Sequence, residues 1–335
     1  MKPWRAVLIG VGRMGRNHLR VLLESSEFTL IGVVDPEIGS EAFKSLPAHL
    51  KKWKTLQECL KEKDSFDVAV VAAPTVDHFE IACQLIEAGK HLLSEKPVAA
   101  TSRDALQLVE LSRSKKVLLK VSHLERLNPA VRKLKEVISA GWVGQPIHFS
   151  FTRVGGYPPT RGASNNVLMD LAVHDIDVLH FLSGDKPQFE IRGVVAHSKW
   201  QKGVMDTAEI LLDRPGSVSA SIHVNWVTPT KIRNARITGT QGVCLIDYIL
   251  QTCVLYGGDL LKTHGEPIVG FKELVKMYQN TDRIEFGVQK EEPLKLQLQE
   301  FGKALLGQPS LICDVEEAAS TVVIAYKALV SSQGH

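Results

Sequence analysis

Asp170-Leu-Ala-Val-His174-Asp-Ile-Asp177 places three polar side chains at spacings i, i+4 and i+7. A helix through this stretch presents Asp170, His174 and Asp177 on one face. Two carboxylates beside an imidazole orient the ring and stabilise its cationic form, which suits proton transfer. A solvated polar face with ordinary ion pairs ranks second. A metal site ranks third: His and Asp at helical spacing can bind zinc, but no third strong ligand is evident, so no metal is expected. A second candidate is Glu95-Lys96-Pro97. The proline holds Lys96 extended and stops a helix from starting there. Lysine usually lies on the surface, but one at a strand end beside a proline stop favours a functional role.

A third constellation concerns a cofactor. Gly10-Val-Gly12-Arg13-Met14-Gly15 is a GxGxxG turn that follows an apolar run and precedes a helical pattern. Asp35 ends the next apolar run, 20 residues after Gly15. In that context the pattern reads as a dinucleotide site. Gly10 allows the tight turn, Gly12 the approach of backbone to pyrophosphate, and Gly15 close helix packing, with the helix N-terminus stabilising phosphate charge. A carboxylate at Asp35 grips ribose hydroxyls and repels a 2′-phosphate by about 4 kcal/mol at ~4 Å and an effective dielectric of about 20. Pro36 and Glu37 supply no offsetting cation. NAD is therefore expected over NADP.

These residues need elements to hold them. Arg5–Ile9, Phe28–Val34, Phe66–Ala73, His91–Ser94 and Val117–Val121 read as buried strands with helices between them. Gly89 caps one helix and Thr101-Ser-Arg-Asp104 opens another. Such alternation implies a doubly wound parallel sheet, whose ligands sit at the carboxyl ends of the strands. Two of those ends carry Ala73-Pro74-Thr75 with His78, and Glu95-Lys96-Pro97. A boundary is expected near Ser122, giving a first domain over 1–122 and a second over 123–335. Asn128 and Pro129 stand as N-cap and first turn of the next helix, which Gly141 ends. Ile147–Val154, Phe189–His197, Val204–Leu212, Ser217–Asn225, Lys231–Gly239 and Val243–Leu250 read as a mostly antiparallel sheet, with a turn at Asp213-Arg-Pro-Gly216. A helix interrupts them from about Val167 to Leu182. Helices through Leu294–Leu306 and after Asp314-Val-Glu-Glu317 close the chain. The fold expected is α/β followed by α+β.

Composition sets outer limits. The chain has 335 residues, 44% hydrophobic and 23% charged, with 40 Lys+Arg against 37 Asp+Glu. That suits about two soluble domains and excludes a disordered or coiled-coil chain. A net charge of +3 leaves no footprint for nucleic acid. The charge runs Lys51-Lys52-Trp53-Lys54 and Lys61-Glu62-Lys63-Asp64 read as solvated surface. Cys59, Cys83, Cys244, Cys253 and Cys313 are odd in number with no CxxC pair, arguing for a reducing compartment. No apolar run approaches a membrane span or a signal segment, so a cytoplasmic protein is expected.

Together, the glycine turn, Asp35, Ala73-Pro74-Thr75 with His78, Glu95-Lys96-Pro97, and Asp170 with His174 and Asp177 resemble the Gfo/Idh/MocA oxidoreductases. The resemblance is strongest over residues 5–182. It implies a Rossmann domain for NAD or NADP and a second domain for a sugar, cyclitol or nucleotide sugar. The open sheet of that second domain commonly joins copies, so a homodimer or homotetramer is expected. Lys96 is implied as the active-site lysine, His174 as proton acceptor and Asp170 as its neighbour. The implied cofactor contacts are Gly10, Gly12, Arg13, Met14, Gly15, Asp35, Ala73, Pro74, Thr75, His78, Glu95 and Lys96. Val121-Ser-His-Leu-Glu-Arg-Leu-Asn-Pro-Ala130 is similar to a stretch in the family's UDP-N-acetylglucosamine 3-dehydrogenases, which serve diamino-sugar synthesis for lipopolysaccharide. There Gly is usual at Ser122 and Phe at Leu127. His123, Arg126, Asn128, Arg153, Tyr157, Arg161 and Asp177 are substrate-contact candidates, the arginines as partners of a diphosphate or, each taken alone, as members of surface ion pairs. Gly155-Gly-Tyr-Pro-Pro159 reads as a shaped binding loop.

The chemistry implied is oxidation of a carbinol. A neutral histidine, unperturbed near about 6.5, can take the hydroxyl proton, and a lysine near about 10.4 can stabilise the alkoxide. Burial could exchange those roles. Dehydrogenation of a free sugar or inositol is the first alternative. A dinucleotide-binding regulator is the second, disfavoured because Lys96, Asp170 and His174 are all present.

Overall fold

The protein is described by a computed structural model over residues 2–39, 46–62, 66–156, 166–184, 189–199, 204–257, 272 and 282–333. It divides into two compact units. The first holds 1–127, 159–165 and 292–327, and the second 128–158, 166–291 and 328–335.

The first unit is a doubly wound sheet of seven strands. They are β1 (Trp4–Ile9), β2 (Phe28–Val34), β3 (Lys51–Trp53), β4 (Val68–Val71), β5 (His91–Glu95), β6 (Leu119–Ser122) and the two-residue β15 (Cys313–Asp314). Their order is β15-β6-β5-β4-β1-β2-β3, and every pairing is parallel except β15 on β6. Ala6, Val7, Leu8 and Val68 to Val71 are fully buried, as strands covered on both faces must be. Among the helices, α1 is Arg13–Leu23, α2 is Leu56–Lys61, α3 is Thr75–Glu87 and α4 is Ser102–Lys115. Thr101 caps α4 by accepting from the Asp104 N–H.

Two features depart from the sequence reading. In the run Lys51-Lys52-Trp53-Lys54 the lysines are exposed, as expected, but Lys51–Trp53 is also an edge strand on β2. Trp53 is buried and donates from Nε1 to Glu62 at 2.9 Å, while a Thr55–Glu58 capping box opens α2. A Cβ at Gly32 would lie 2.3 Å from the Trp53 ring, so glycine makes the room for it. The second departure concerns residues after 122. Helix α7 (Pro293–Leu305) packs Leu294, Leu298 and Phe301 into the core of Ala6, Leu22, Phe28 and Leu30. Phe301 stacks on Phe28 with centroids 5.7 Å apart. The burial of that apolar face returns residues 292–327 to the first unit. They include most of α8 (Val315–Gln333).

The second unit is an eight-stranded sheet ordered β14-β13-β12-β11-β7-β10-β9-β8. Its strands are β7 (Pro146–Val154), β8 (Glu190–His197), β9 (Thr207–Arg214), β10 (Val218–Asn225), β11 (Ile232–Gly239), β12 (Gly242–Asp247), β13 (Thr252–Gly257) and β14 (Asp282–Phe286). Only β7 with β10 is parallel. Phe149, Phe151, Ile222 and Ile237 point to the side covered by α5 (Pro129–Ser139) and α6 (Val173–Ser183). As expected, Asn128 caps α5 with Pro129 in its first turn. No helix among the described residues is long and apolar enough to cross a membrane.

Candidate active site

In the first unit the glycine turn joins β1 to α1. Gly10 sits at φ +87°, and a Cβ on it would lie 2.7 Å from the Ala72 carbonyl oxygen. A Cβ on Gly15 would come within 2.1 Å of the Gly10 carbonyl oxygen. At Gly12, by contrast, a Cβ would meet nothing within 4 Å. Gly12 is also the N-cap of α1, with no side-chain cap and no acid in the first turn. Arg13 and Met14 follow it, and Arg13 and Arg16 add positive charge to a helix end that is already positive. An open backbone with uncapped N–H groups and added cations fits an anionic diphosphate. Asp35 completes the cradle. Its Oδ2 accepts from the Val11 N–H at 2.8 Å and its Oδ1 from the Glu37 N–H at 2.9 Å. Each oxygen keeps a lone pair for a ribose hydroxyl.

These contacts separate two glycine substitutions. Gly12→Ala should leave the melting midpoint within about 2 °C while weakening NAD binding by about tenfold or more. Gly15→Ala drives a methyl into backbone and should destabilise by about 1–3 kcal/mol. Calorimetry and a binding titration on both variants check this; equal effects on stability would contradict it.

The other strand ends are built from unusual contacts. His78 is buried, with Nδ1 2.8 Å from the Pro97 carbonyl and Nε2 2.9 Å from the Ala73 carbonyl. It ties together the ends of β4 and β5, where Ala73, Pro74 and Thr75 lead into α3. Glu95 ends β5 and is itself buried. Its Oε1 meets His18 Nε2 at 2.7 Å and accepts from Ser122 at 2.8 Å, while Oε2 accepts from the Lys96 N–H at 3.2 Å. Burial pushes the Glu95 carboxyl up. The His18 hydrogen bond and charge, Ser122 and the Lys96 charge outweigh that and hold it below the usual carboxylate range. Lys96 is half-buried at this edge. His123 and Arg126 lie just past β6. His123 is buried, and its carbonyl accepts from the Arg126 N–H. Arg126 is buried against Glu317.

In the second unit the helix with the reactive cluster is not uniform. Leu168–Ala172 winds as a π-helical turn before α6 begins at Val173. A π-turn inside a helix often marks a functional position. Asp170 and His174 are half-buried, but Asp177 is fully buried, so the three do not share one accessible face. Asp170 Oδ2 accepts from the Trp226 indole N–H at 3.0 Å. A solvated polar face is also ruled out, because Asp175 and Asp177 lie inside.

Arg153, expected at a diphosphate, is 3% exposed and forks onto Asp175 through Nε at 2.9 Å and Nη2 at 2.8 Å. The Tyr248 ring lies 5.0 Å from its guanidinium carbon. Asn128 is engaged too: Oδ1 accepts from the Ala130 N–H, and Nδ2 donates to the Tyr248 carbonyl at 2.9 Å. These two side chains organise the second unit around α6. Tyr157 and Arg161 lie outside the described residues, as do Pro158 and Pro159 of the shaped loop. Sequence reasoning missed His18, Ser122, Gln297, Asp175 and Trp226. Asp175 carried a signal as a third acid in the quoted cluster, and Ser122 as the strand-end position where the similar stretch usually has Gly.

Comparison with known proteins identifies the family and the fold. The profile described as "Oxidoreductase family, NAD-binding Rossmann fold" matches residues 4–123, and the "GFO/IDH/MocA C-terminal domain" profile matches 131–244. The UDP-N-acetylglucosamine 3-dehydrogenase of Acidithiobacillus ferrooxidans is 26% identical over 310 residues, covering 92% of this chain and 91% of the relative. An inositol 2-dehydrogenase of Saccharopolyspora erythraea is 29% identical over 225 residues, covering 65% of each chain. A solved structure of the Acidithiobacillus ferrooxidans enzyme superposes with a TM-score of 0.82 at 22% identity, over 100% of this chain and 99% of that one. That likeness shows the fold.

Proposed function

The chain belongs to the Gfo/Idh/MocA oxidoreductase family, and from that footing we propose that it is an NAD-dependent dehydrogenase acting on a secondary hydroxyl of a sugar. The substrate proposed is a nucleotide sugar, UDP-N-acetylglucosamine oxidised at its 3-position. The observation that carries this choice is the near end-to-end match to a dehydrogenase of that sugar, 92% of one chain against 91% of the other. Oxidation of a free inositol is the second reading, supported by inositol dehydrogenase matches over 65% and 75% of this chain.

Bound at the glycine turn and Asp35, the dinucleotide supplies a hydride acceptor. The chain's own residues do the rest. His174, at the start of α6, takes the hydroxyl proton at an imidazole nitrogen. Lys96, at the end of β5, donates a hydrogen bond to the same oxygen and stabilises the developing alkoxide. Asp170, anchored by Trp226, sets the electrostatics beside His174. The exchanged assignment, Lys96 as base, predicts that the acidic limb of the pH profile survives in His174→Ala.

Asp35 supports NAD over NADP, since its carboxylate would face a 2′-phosphate. Asp35→Ser should raise NADP affinity relative to NAD by roughly 100-fold, about 3 kcal/mol. Binding titrations with both cofactors check this; comparable wild-type affinities would contradict it. We also propose that copies associate through the sheet face opposite α5 and α6, where Val195, Leu211, Leu245 and Tyr256 are exposed. A solution mass at the 37.0 kDa of one chain would overturn that.

The test of function is a panel of UDP-hexosamines, free hexoses and inositols with NAD, following reduced nicotinamide in the presence of a carbonyl trap. A higher kcat/KM for UDP-N-acetylglucosamine than for every free sugar is expected. Turnover confined to inositol would move the protein to the second reading.

A further inference from the structure

A chain of buried polar groups lies behind Lys96, and the chemistry above does not use it. His18 on α1, Ser122 at the end of β6 and Gln297 on α7 are 0%, 1% and 0% exposed. His18 and Ser122 both engage Glu95 Oε1, at 2.7 and 2.8 Å. The Gln297 side-chain amide lies 2.9 Å from Ser122 Oγ. A hydroxyl has one proton, and here it goes to the carboxylate. The structure sets Gln297 Oε1 nearest that hydroxyl; turning the amide over places its N–H there instead and gives the otherwise unpartnered Gln297 Nε2 an acceptor. The sequence of donors runs Gln297 to Ser122 to Glu95, with His18 donating from the other side. All of it converges on one oxygen and leaves Oε2 for the Lys96 backbone N–H.

Stability does not explain this arrangement. A buried charged pair is commonly matched or bettered by apolar side chains of the same volume. Four elements instead each contribute one group, α1, β5, β6 and α7, so the carboxylate is fixed from several sides. A buried hydrogen-bond network rigidifies what it touches, and here His18 Nδ1 alone of the imidazole nitrogens stands outside it. What it touches is the backbone of the lysine.

We propose that His18, Ser122 and Gln297 are positioning residues that act through the Glu95 carboxylate to fix the direction in which the Lys96 side chain leaves strand β5. This rests on the reading of Lys96 as the lysine of the reaction. Glu95 thereby acts on the lysine rather than on the dinucleotide.

The test is a double-mutant cycle on the full chain with NAD and the best panel substrate. In Glu95→Gln the amide has a single acceptor oxygen, so either the His18–Ser122 side or the Lys96 N–H loses its partner. A fall in kcat of about tenfold or more is expected, because small misplacement of a reacting group is costly. The NAD dissociation constant, read by fluorescence, and the substrate KM should stay within about twofold. Ser122→Ala removes one hydroxyl, keeps the fold by melting midpoint, and should lower kcat by about two- to fivefold with the same KM. In a Lys96→Ala background neither change should lower kcat further, since both act through Lys96. Losses that multiply with Lys96→Ala would overturn the proposal, as would an NAD affinity that falls as far as kcat. Wild-type turnover in Lys96→Ala alone would instead sink the reading of Lys96, before any Glu95 variant is measured.

Discussion

Lys96→Ala and His174→Ala should each lower kcat by about a thousandfold, with the NAD dissociation constant unchanged within about twofold. A positioned base contributes about 100- to 10,000-fold and a donor to a developing oxyanion about 100- to 1,000-fold. Both residues belong to elements that survive truncation. Lys96 is half-buried directly after β5, whose Leu92 to Glu95 are buried, and His174 is half-buried in the first turn of α6. The cradle of Gly10, Gly12, Gly15 and Asp35 contains neither side chain; Lys96 is also an implied cofactor contact, so the NAD dissociation constant of Lys96→Ala separates a binding role from a chemical one. The two variants should also differ in kind. His174→Ala should lose the acidic limb of the kcat/KM profile, because without that ring nothing on α6 has to lose a proton first. Lys96→Ala should keep the limb at a lower plateau. Stopped-flow reduction of NAD across pH measures this. Near-normal turnover in either variant would remove that residue from the reaction.

Breaking the Arg153–Asp175 pair should have the largest effect on stability. Both partners lie inside the second unit, 3% and 1% exposed, with two hydrogen bonds between them. Removing one leaves the other charge buried without its partner, at a cost of about 3–5 kcal/mol. Arg153→Met should therefore lower the melting midpoint by on the order of 10 °C. Arg153→Met combined with Asp175→Leu should recover much of that loss, since no charge is then left inside. Because Asp175 follows His174 directly, the single variant should lose turnover as well. Differential scanning calorimetry decides the matter, and an unchanged midpoint in Arg153→Met would show that the pair does not hold α6.

Where local pattern and tertiary environment agree, the sequence is legible. Ala6-Val-Leu-Ile9 is apolar at every position because the strand is covered on both faces, and the glycine turn sits where backbone meets backbone. Asn128-Pro129 and Thr101-Ser-Arg-Asp104 are short-range devices, and they open α5 and α4 as read. Long-range effects leave no such mark. The face of Leu294, Leu298 and Phe301 announces a buried helix but not the sheet that buries it. Trp53 hides in a charge run because its edge strand has a single buried position. The spacing of Asp170, His174 and Asp177 assumes uniform α-winding, and the π-turn at Leu168–Ala172 breaks that assumption. The fork of Arg153 suits any planar anion, phosphate included, and the anion it meets inside the second unit is Asp175.

The proposed reaction removes hydrogen from carbon 3 of a nucleotide sugar. UDP-N-acetylglucosamine deuterated at that carbon, incubated with the protein and NAD, tests it most directly by mass spectrometry of the nicotinamide. Deuterium in the reduced cofactor and a primary isotope effect on kcat/KM are expected, with label transfer about a thousandfold slower in Lys96→Ala. Reduced cofactor free of deuterium, with the label retained in the sugar, would contradict it.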